Sequence, residues 1–444
     1  MRRLAAAVLG AWAAAAAASP FDAIDRLVDG WQASRAFSGA IVVLQDGATR
    51  YERAAGWADP ARGLPYAVTT PTDGASLAKP FTGLLVLMLA REGRLDLDAP
   101  AARYAAEYPH GDTRVRDLLA HAAGLPDYGA FDALFRHGTP VTTSAMLRDL
   151  GERRVAPQFA PGTRFDYCNV CYNALAVVAE RVTGARYEAL LRERVWRPAG
   201  MADAYVRPAK LDALPPGRAV GHRWRDGRDE PRDAEDNEDF HGGSNVYASA
   251  RGFARFAAAL ADDAPWLGPA AADAVEPVRL ADGATTGITL GGWFCAPGGR
   301  RCYFNGHHQG FFSVMYWDRG RRLAVAWVSN STMPLSLRNV LTRGLVAAAE
   351  GRPVAVSPVQ AVPLDAAKLA ALAGDHEVGG IGRVRVAIDG KRGTLRTAGV
   401  DYELFRVSPA AYYAPGVDAL LGATADGRLT WSSVFVQAVG TPVR

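Results

Sequence analysis

The sequence predicts an α/β (α+β) fold: an antiparallel sheet with a helical region inserted between its strands, followed by a small all-β domain of barrel-like character. Three observations lead there. Strand patterns come first, helical patterns fill the middle, and a second strand hairpin returns near residue 330. The segment from Ser76 to Arg91 is apolar almost all round, which marks a helix buried at a domain centre. Beyond a stretch holding three prolines, 351–363, the texture changes to short strands separated by Asp-Gly turns.

The elements follow in order. Met1-Arg2-Arg3, an Ala-rich run from Leu4 to Ala18 and then Ser19-Pro20 have the layout of an export signal with a small-residue cleavage site. Residues 1–18 are therefore read as a signal peptide, and the protein as secreted or periplasmic. The run is too short for a membrane-spanning helix, and no later segment suits one, so no stable membrane insertion is expected. A helix is expected around Ala23 to Ala33. Gly39 to Leu44 reads as a buried strand, Asp46-Gly47 as a turn, and Arg50 to Ala55 as the returning strand. After the central helix, whose Pro80 falls near its start where a missing N–H costs little, come helices over Arg114–His121, Ser144–Gly151 and Asn173–Gly184. Phe311–Trp317 and Leu323–Val328, joined at Asp318-Arg319-Gly320, form the second hairpin. The main domain thus spans 24–350, a linker spans 351–363, and a C-terminal β domain spans 364–444. Strands of the last are expected at Val384–Ile388, Gly393–Thr397, Tyr402–Val407 and Leu429–Phe435.

Composition narrows the function. A chain of 444 residues suits two or three domains, and 49% hydrophobic residues against 22% charged supply enough apolar surface for a large core. The net charge is only +4, the arginines are scattered, and no basic run carries interleaved aromatics, so no nucleic-acid partner is expected. Of the 50 Lys and Arg residues only Lys79, Lys210, Lys368 and Lys391 are lysine. A lysine kept where arginine otherwise serves is a candidate for losing its proton. Four cysteines in an exported chain permit disulfides. Cys295 and Cys302 flank the turn Ala-Pro-Gly-Gly-Arg-Arg, and Cys168 and Cys171 have a CxxC spacing; either pair can close, and the connectivity stays open. The second spacing is wrong for a usual zinc knuckle, and the adjacent His307 and His308 point to opposite faces of a strand, so no metal and no cofactor are expected.

Ser76-Leu77-Ala78-Lys79 is an SxxK pattern. Three residues apart at a helix start, the hydroxyl and the amine lie on one face and can meet. A serine hydroxyl needs a base beside it, and a buried lysine can have its pKa lowered enough to serve. The helix dipole at Ser76 also favours developing negative charge. Tyr167-Cys168-Asn169 is a YxN pattern whose phenol can relay a proton and whose Asn169 can orient the amine or donate to a substrate carbonyl. A core tyrosine beside a capping Asn is the bland reading, outweighed by the company of Ser76 and Lys79. No GxSxG elbow, HExxH, P-loop or dinucleotide-binding GxGxxG competes.

Together, Ser76-Leu77-Ala78-Lys79-Pro80-Phe81-Thr82, the stretch Arg116 to Leu125, Pro161 to Asn169, and Tyr247 to Phe256 resemble the class C β-lactamase and penicillin-binding-protein-like serine hydrolases. The resemblance runs from about residue 24 to 335. It implies a β-lactamase/transpeptidase-like catalytic domain, with an antiparallel sheet flanked by helices, and a two-step acyl-enzyme mechanism on Ser76 with Lys79 and Tyr167. Residues 364–444 resemble the lipocalin-like domain that follows some of these hydrolases. The family's third motif, KTG or HxG, matches Phe304-Asn305-Gly306 when aligned without gaps on Gly310-Phe311; a shifted register through His308-Gln309-Gly310 breaks the downstream spacing. By resemblance the oxyanion hole is the backbone N–H groups of Ser76 and His307, with Gly306 allowing close approach.

Phe304 replaces the cation that in relatives helps hold a substrate carboxylate. The expected activity is therefore hydrolysis of a neutral ester, amide or peptide, a small-molecule or peptide substrate, ahead of β-lactamase or D-Ala-D-Ala carboxypeptidase activity. A non-catalytic cell-wall or protein-binding module on the same fold is the remaining alternative. It is disfavoured because Ser76, Lys79 and Tyr167 are all intact.

Overall fold

The computed structural model describes residues 19–443 apart from 34–36, 137–138, 226–227, 234–237, 332–334, 355–364, 380, 390–391, 398–399, 409–410, 415–418 and 433–436. The expected signal peptide and most of the expected linker lie outside the described residues.

Eight strands make one antiparallel sheet: β1 (Gly39–Gln45), β2 (Ala48–Ala55), β3 (Pro277–Arg279), β4 (Thr285–Thr289), β5 (Phe294–Cys295), β6 (Arg301–His308), β7 (Phe311–Asp318) and β8 (Leu323–Ser329). Their spatial order is β3-β4-β5-β6-β7-β8-β1-β2. The N-terminal hairpin closes against the last strand, with Gly39 opposite Ser329 and Gln45 opposite Leu323. The helical region is thus inserted between strands of one sheet, as the element order predicts.

β1, β7 and β8 are buried along nearly their whole length, because both faces of the sheet are covered. Ile41, Val43, Val314, Val325 and Trp327 pack with α1 (Asp22–Ala33) and the C-terminal end of a late helix, Leu335–Ala349. The alternate residues Val42, Met315, Trp317, Ala324 and Ala326 join the larger core, together with α2 (Ala78–Arg91), α3 (Asn169–Thr183) and α4 (Ala250–Ala261). This two-sided burial follows from strand alternation. Leu84, Leu85, Val86 and Leu87 of α2 are all buried, as its all-round apolar pattern requires.

Three boundaries differ from expectation for local reasons. The central helix begins with a 3₁₀ turn over Ala75–Leu77, so Ser76 precedes the α-helix proper. The helix expected over Arg114–His121 covers only Val115–Leu119, since His121 takes a left-handed φ of 54°. The helix expected from Asn173 starts at Asn169, four residues earlier, because Cys168 caps it: its sulfur accepts the N–H of Cys171.

Both cysteine pairs that the sequence left open are closed, Cys168–Cys171 and Cys295–Cys302. After Asp365 the chain forms eight strands, β9 (Gly374–Val378) through β10 (Gly382–Asp389), β11 (Arg392–Thr397), β12 (Val400–Ser408), β13 (Ala411–Ala414), β14 (Ala419–Ala423), β15 (Leu429–Ser432) and β16 (Gln437–Pro442). They close into a barrel, β16 pairing back onto β9. Its interior is filled by Val384, Leu395, Leu404, Leu421 and Trp431 among others. Among the described residues no helix is long and apolar enough to cross a membrane.

Candidate active site

The chain enters the site on a short strand, Thr72–Asp73, paired to Val246–Ala248. Gly74 donates its N–H to the Val246 carbonyl at 2.9 Å. Ala75 then adopts φ 47°, a conformation that non-glycine residues rarely hold. The buried Asp73 carboxylate fixes it by accepting the Ala75 N–H at 2.7 Å. Ser76 follows at the head of α2, at the floor of a cavity of about 520 Å³.

Lys79 is fully buried, one helical turn on. Its Nζ lies 3.1 Å from Ser76 Oγ, 2.7 Å from Asn169 Oδ1 and 2.7 Å from the Gly243 carbonyl oxygen. Burial pushes its pKa down to about 7, opposed in part by the negative charge of Asp127. The last two partners can only accept. A neutral amine has two N–H groups, so satisfying both leaves its lone pair facing the Ser76 hydroxyl. That is the arrangement a general base needs. Asn169 cannot turn its other end inward, since its Nδ2 donates to Asp127 Oδ2 at 2.8 Å.

The Ser76 hydroxyl acts on the Tyr167 phenol to lower its pKa, and Lys79 Nζ lies 4.8 Å from the centre of its ring. Burial raises the phenol pKa, so it stays a neutral donor and acceptor at ordinary pH. Its other face stacks on His121, centroids 4.5 Å apart. His121 Nδ1 accepts the Cys168 N–H at 3.0 Å, and burial followed by the Lys79 charge holds the imidazole pKa well below its usual value. The ring under Tyr167 is thus an uncharged platform.

β6 forms the opposite wall. Beyond Tyr303 it pairs only with β7, and its other edge runs along the nucleophile turn. A Cβ on Gly306 would lie 2.2 Å from the Gly74 carbonyl oxygen and 2.9 Å from the Ser76 nitrogen, so only glycine fits. A Cβ on Gly310 would instead meet Arg232 and His222. Gly306, with Phe304 and Asn305 before it on β6, thus lies beside the serine. Phe304 is 1% exposed, stacked on Phe294 and edge-on to Trp293. Asn305 lines the cavity, and the His307 ring stacks on Phe312.

The rest of the cavity is aromatic, with Tyr128, Phe165, Phe240, Phe294 and Tyr402 in its walls. Two carboxylates line it, Glu238 paired with Arg207 and Asp166 paired with Arg164. Among the described residues no arginine or lysine lines it, but the imidazoles of His307 and His308 do. Ser76, Lys79, Tyr167, Asn169, Phe304, Asn305, Gly306 and His307 therefore all converge. Asp127, Gly243, the Asp73–His308 pair and Tyr402 join the site without a motif to mark them. Asp127 stands two residues past the Arg116–Leu125 stretch, which is its one signal; the others carry no local signal. Among the described residues no cluster of three or more His, Cys, Asp or Glu side chains could hold a metal ion.

Comparison with known proteins gives a consistent picture. The family model described as Beta-lactamase matches residues 24–350. A D-aminopeptidase of Brucella anthropi is 33% identical over 171 residues, which is 38% of this chain and 33% of that protein. A penicillin-binding protein of Bacillus subtilis is 28% identical over 176 residues, 39% of each chain. The matches thus span little more than a third of these relatives' length. Among solved structures, the octameric penicillin-binding protein homologue from Pyrococcus abyssi shares the fold over 94% of this chain and 100% of that one, with a TM-score of 0.65 and 20% identity.

Proposed function

This chain belongs to the beta-lactamase family, and on that premise we propose that it is a serine hydrolase working by acyl transfer through Ser76. The observation that carries the reading is the Lys79 amine, buried with a pKa lowered to about 7, 3.1 Å from Ser76 Oγ, with its remaining partners both acceptors.

The steps follow from that geometry. Lys79, as the free amine, takes the Ser76 proton while Oγ attacks the substrate carbonyl carbon. The oxyanion is held by the N–H groups of Ser76 and His307. The proton passes from Lys79, by way of the neutral Tyr167 phenol, to the departing oxygen or nitrogen, and the alcohol or amine leaves. Water then attacks the acyl-enzyme and returns its proton along the same route. The acid is released and Ser76 regains its hydrogen.

The substrate class we propose is a neutral ester, amide or peptide bearing an apolar acyl group. Phe304 puts a buried ring where a carboxylate-binding cation would stand, and the cavity walls are aromatic. Similarity to D-aminopeptidases adds D-amino-acid amides, whose free amine makes them cations rather than neutral substrates, as the contrasting panel to try. Export to an oxidising compartment fits the two closed disulfides and the signal-like residues 1–18.

The test is turnover of p-nitrophenyl esters and D-amino-acid p-nitroanilides, alongside intact-protein mass after incubation with benzylpenicillin. We expect ester or anilide hydrolysis that is abolished in Ser76→Ala, and neither a lasting penicillin adduct nor penicillin consumption. A stable adduct would favour a carboxypeptidase-like enzyme, and rapid penicillin consumption a β-lactamase. Wild-type turnover in Ser76→Ala would end the acyl-enzyme reading.

A further inference from the structure

We infer that the Asp73–His308 pair is a positioning device that fixes the spacing between the nucleophile turn and the strand bearing the second oxyanion donor. The inference rests on the acyl-transfer reading above. It is carried by the way one buried carboxylate serves both walls of the site.

Asp73 has no exposed surface. One of its oxygens accepts the Ala75 N–H at 2.7 Å, on the peptide just before Ser76. The other accepts from His308 Nδ1 at 2.9 Å, on the residue just after His307. The two donors of the oxyanion hole are thus each one residue from an atom held by Asp73. Along β6 the side chains of Phe304, Gly306 and His308 alternate onto one face. That face lies against the nucleophile turn, as the contact of Gly306 with Gly74 and Ser76 shows. A further tie runs from Ser313 Oγ to the Gly74 carbonyl at 2.6 Å. Two strands, 235 residues apart at the Asp73–His308 bond, are pinned where a small error in separation would misplace an oxyanion donor.

Charge reinforces the pin. Burial lowers the His308 pKa, but the hydrogen bond and charge of Asp73, with Glu238 beyond, outweigh it and the opposing Arg207, so the net shift is upward. The protonated imidazole makes a charge-assisted bond, stronger than a neutral one. Because the folded value is raised, the pair's contribution is complete below the ordinary histidine pKa and fades as pH rises through the raised value.

The experiment is a kinetic comparison of His308→Ala, His308→Asn and His308→Gln on one p-nitrophenyl ester, each with a melting temperature. Asparagine places its donor near the Nδ1 position, whereas glutamine places it near Nε2. We expect His308→Ala to lose roughly 10- to 100-fold in kcat with KM little changed, as for a displaced transition-state donor. His308→Asn should recover most of that kcat. The wild type should show an alkaline limb in kcat/KM that His308→Asn lacks, while the acid limb set by Lys79 persists in both. If His308→Ala does not fold, the Asn and Gln variants decide. Rescue by Gln and not Asn would mean that His308 acts on substrate through Nε2, and would overturn the inference. Wild-type kcat in His308→Ala, with Ser76→Ala dead, would overturn it while sparing the acyl-transfer reading. Activity in Ser76→Ala would remove that reading and this inference with it.

Discussion

At the scale of single residues, the proposed chemistry rests on Lys79, and Asp127 raises the pKa of its amine. The amine must be neutral to accept the serine proton, so kcat/KM should fall as pH drops through about 7, where Lys79 becomes an ammonium. Asp127 acts twice: it anchors the Asn169 amide at 2.8 Å, and its charge raises the Lys79 pKa against burial. In Asp127→Asn that opposing charge is gone, so the Lys79 pKa drops further. The acid limb should move to lower pH, and the variant should keep a larger share of its plateau activity at pH 6 than the wild type does. A pH–rate profile of the two proteins checks this; a limb that stays put or moves upward would show that Asp127 only orients Asn169.

At the scale of elements, the start of α3 holds the second half of the proposed machinery. Tyr167 and Asn169 flank Cys168, which caps the helix and is bonded to Cys171 across its first turn. A cross-link that closes so short a loop removes little chain entropy from the unfolded state. Its effect is therefore local, on the angle between the Tyr167 phenol and the Asn169 amide. The double variant Cys168→Ser/Cys171→Ser should lose about tenfold in kcat, in the range of a general acid–base contribution. Its melting temperature should fall by only about 1–2 °C, as for roughly 1 kcal/mol in a domain of this size. A larger loss on an anilide, whose nitrogen must be protonated to leave, than on a p-nitrophenyl ester, with the Cys295–Cys302 bond intact, would identify the proton route as the damaged part. Unchanged kcat would make the cross-link purely structural. The helix start was hidden in the sequence because Tyr167-Cys168-Asn169 has no apolar periodicity; the sulfur cap that begins it is visible only once Cys171 is placed above Cys168.

At the scale of the whole molecule, the C-terminal barrel is more than an appendage. Its described core is formed by its own side chains. Yet Tyr402, on β12, lines the same cavity as Ser76, and burial pushes its phenol up to about 12. A half-buried aromatic ring over an apolar pocket sorts substrates by the size of the group beneath it. Tyr402→Ala should raise KM several-fold for esters with bulky aromatic acyl groups and leave acetyl esters nearly unaffected, a split readable from steady-state kinetics on the two series. Equal KM values across both would place Tyr402 outside the substrate's reach.

The parts whose logic is local are legible along the chain. Ser76 and Lys79 are three residues apart at a helix start, so their meeting is a property of helix geometry. The all-apolar run after them had to be buried, and the closing hairpin and the C-terminal strands followed from alternation and Asp-Gly turns. Phe304 in place of a cation is likewise a reading from the ungapped alignment, and β6 and β7 pair as a simple hairpin with no shift in register. Tertiary structure alone decided the contacts made across long stretches of chain: Asn169 at 90 residues and Gly243 at 164 residues from Lys79, and His308 at 235 residues from Asp73. Spacing in sequence says nothing about such closures, because they depend on how a sheet built from both ends of the domain is covered by helices from its middle. The lowered pKa of Lys79 belongs to the same class, since it comes from desolvation, and desolvation exists only once every neighbour has packed.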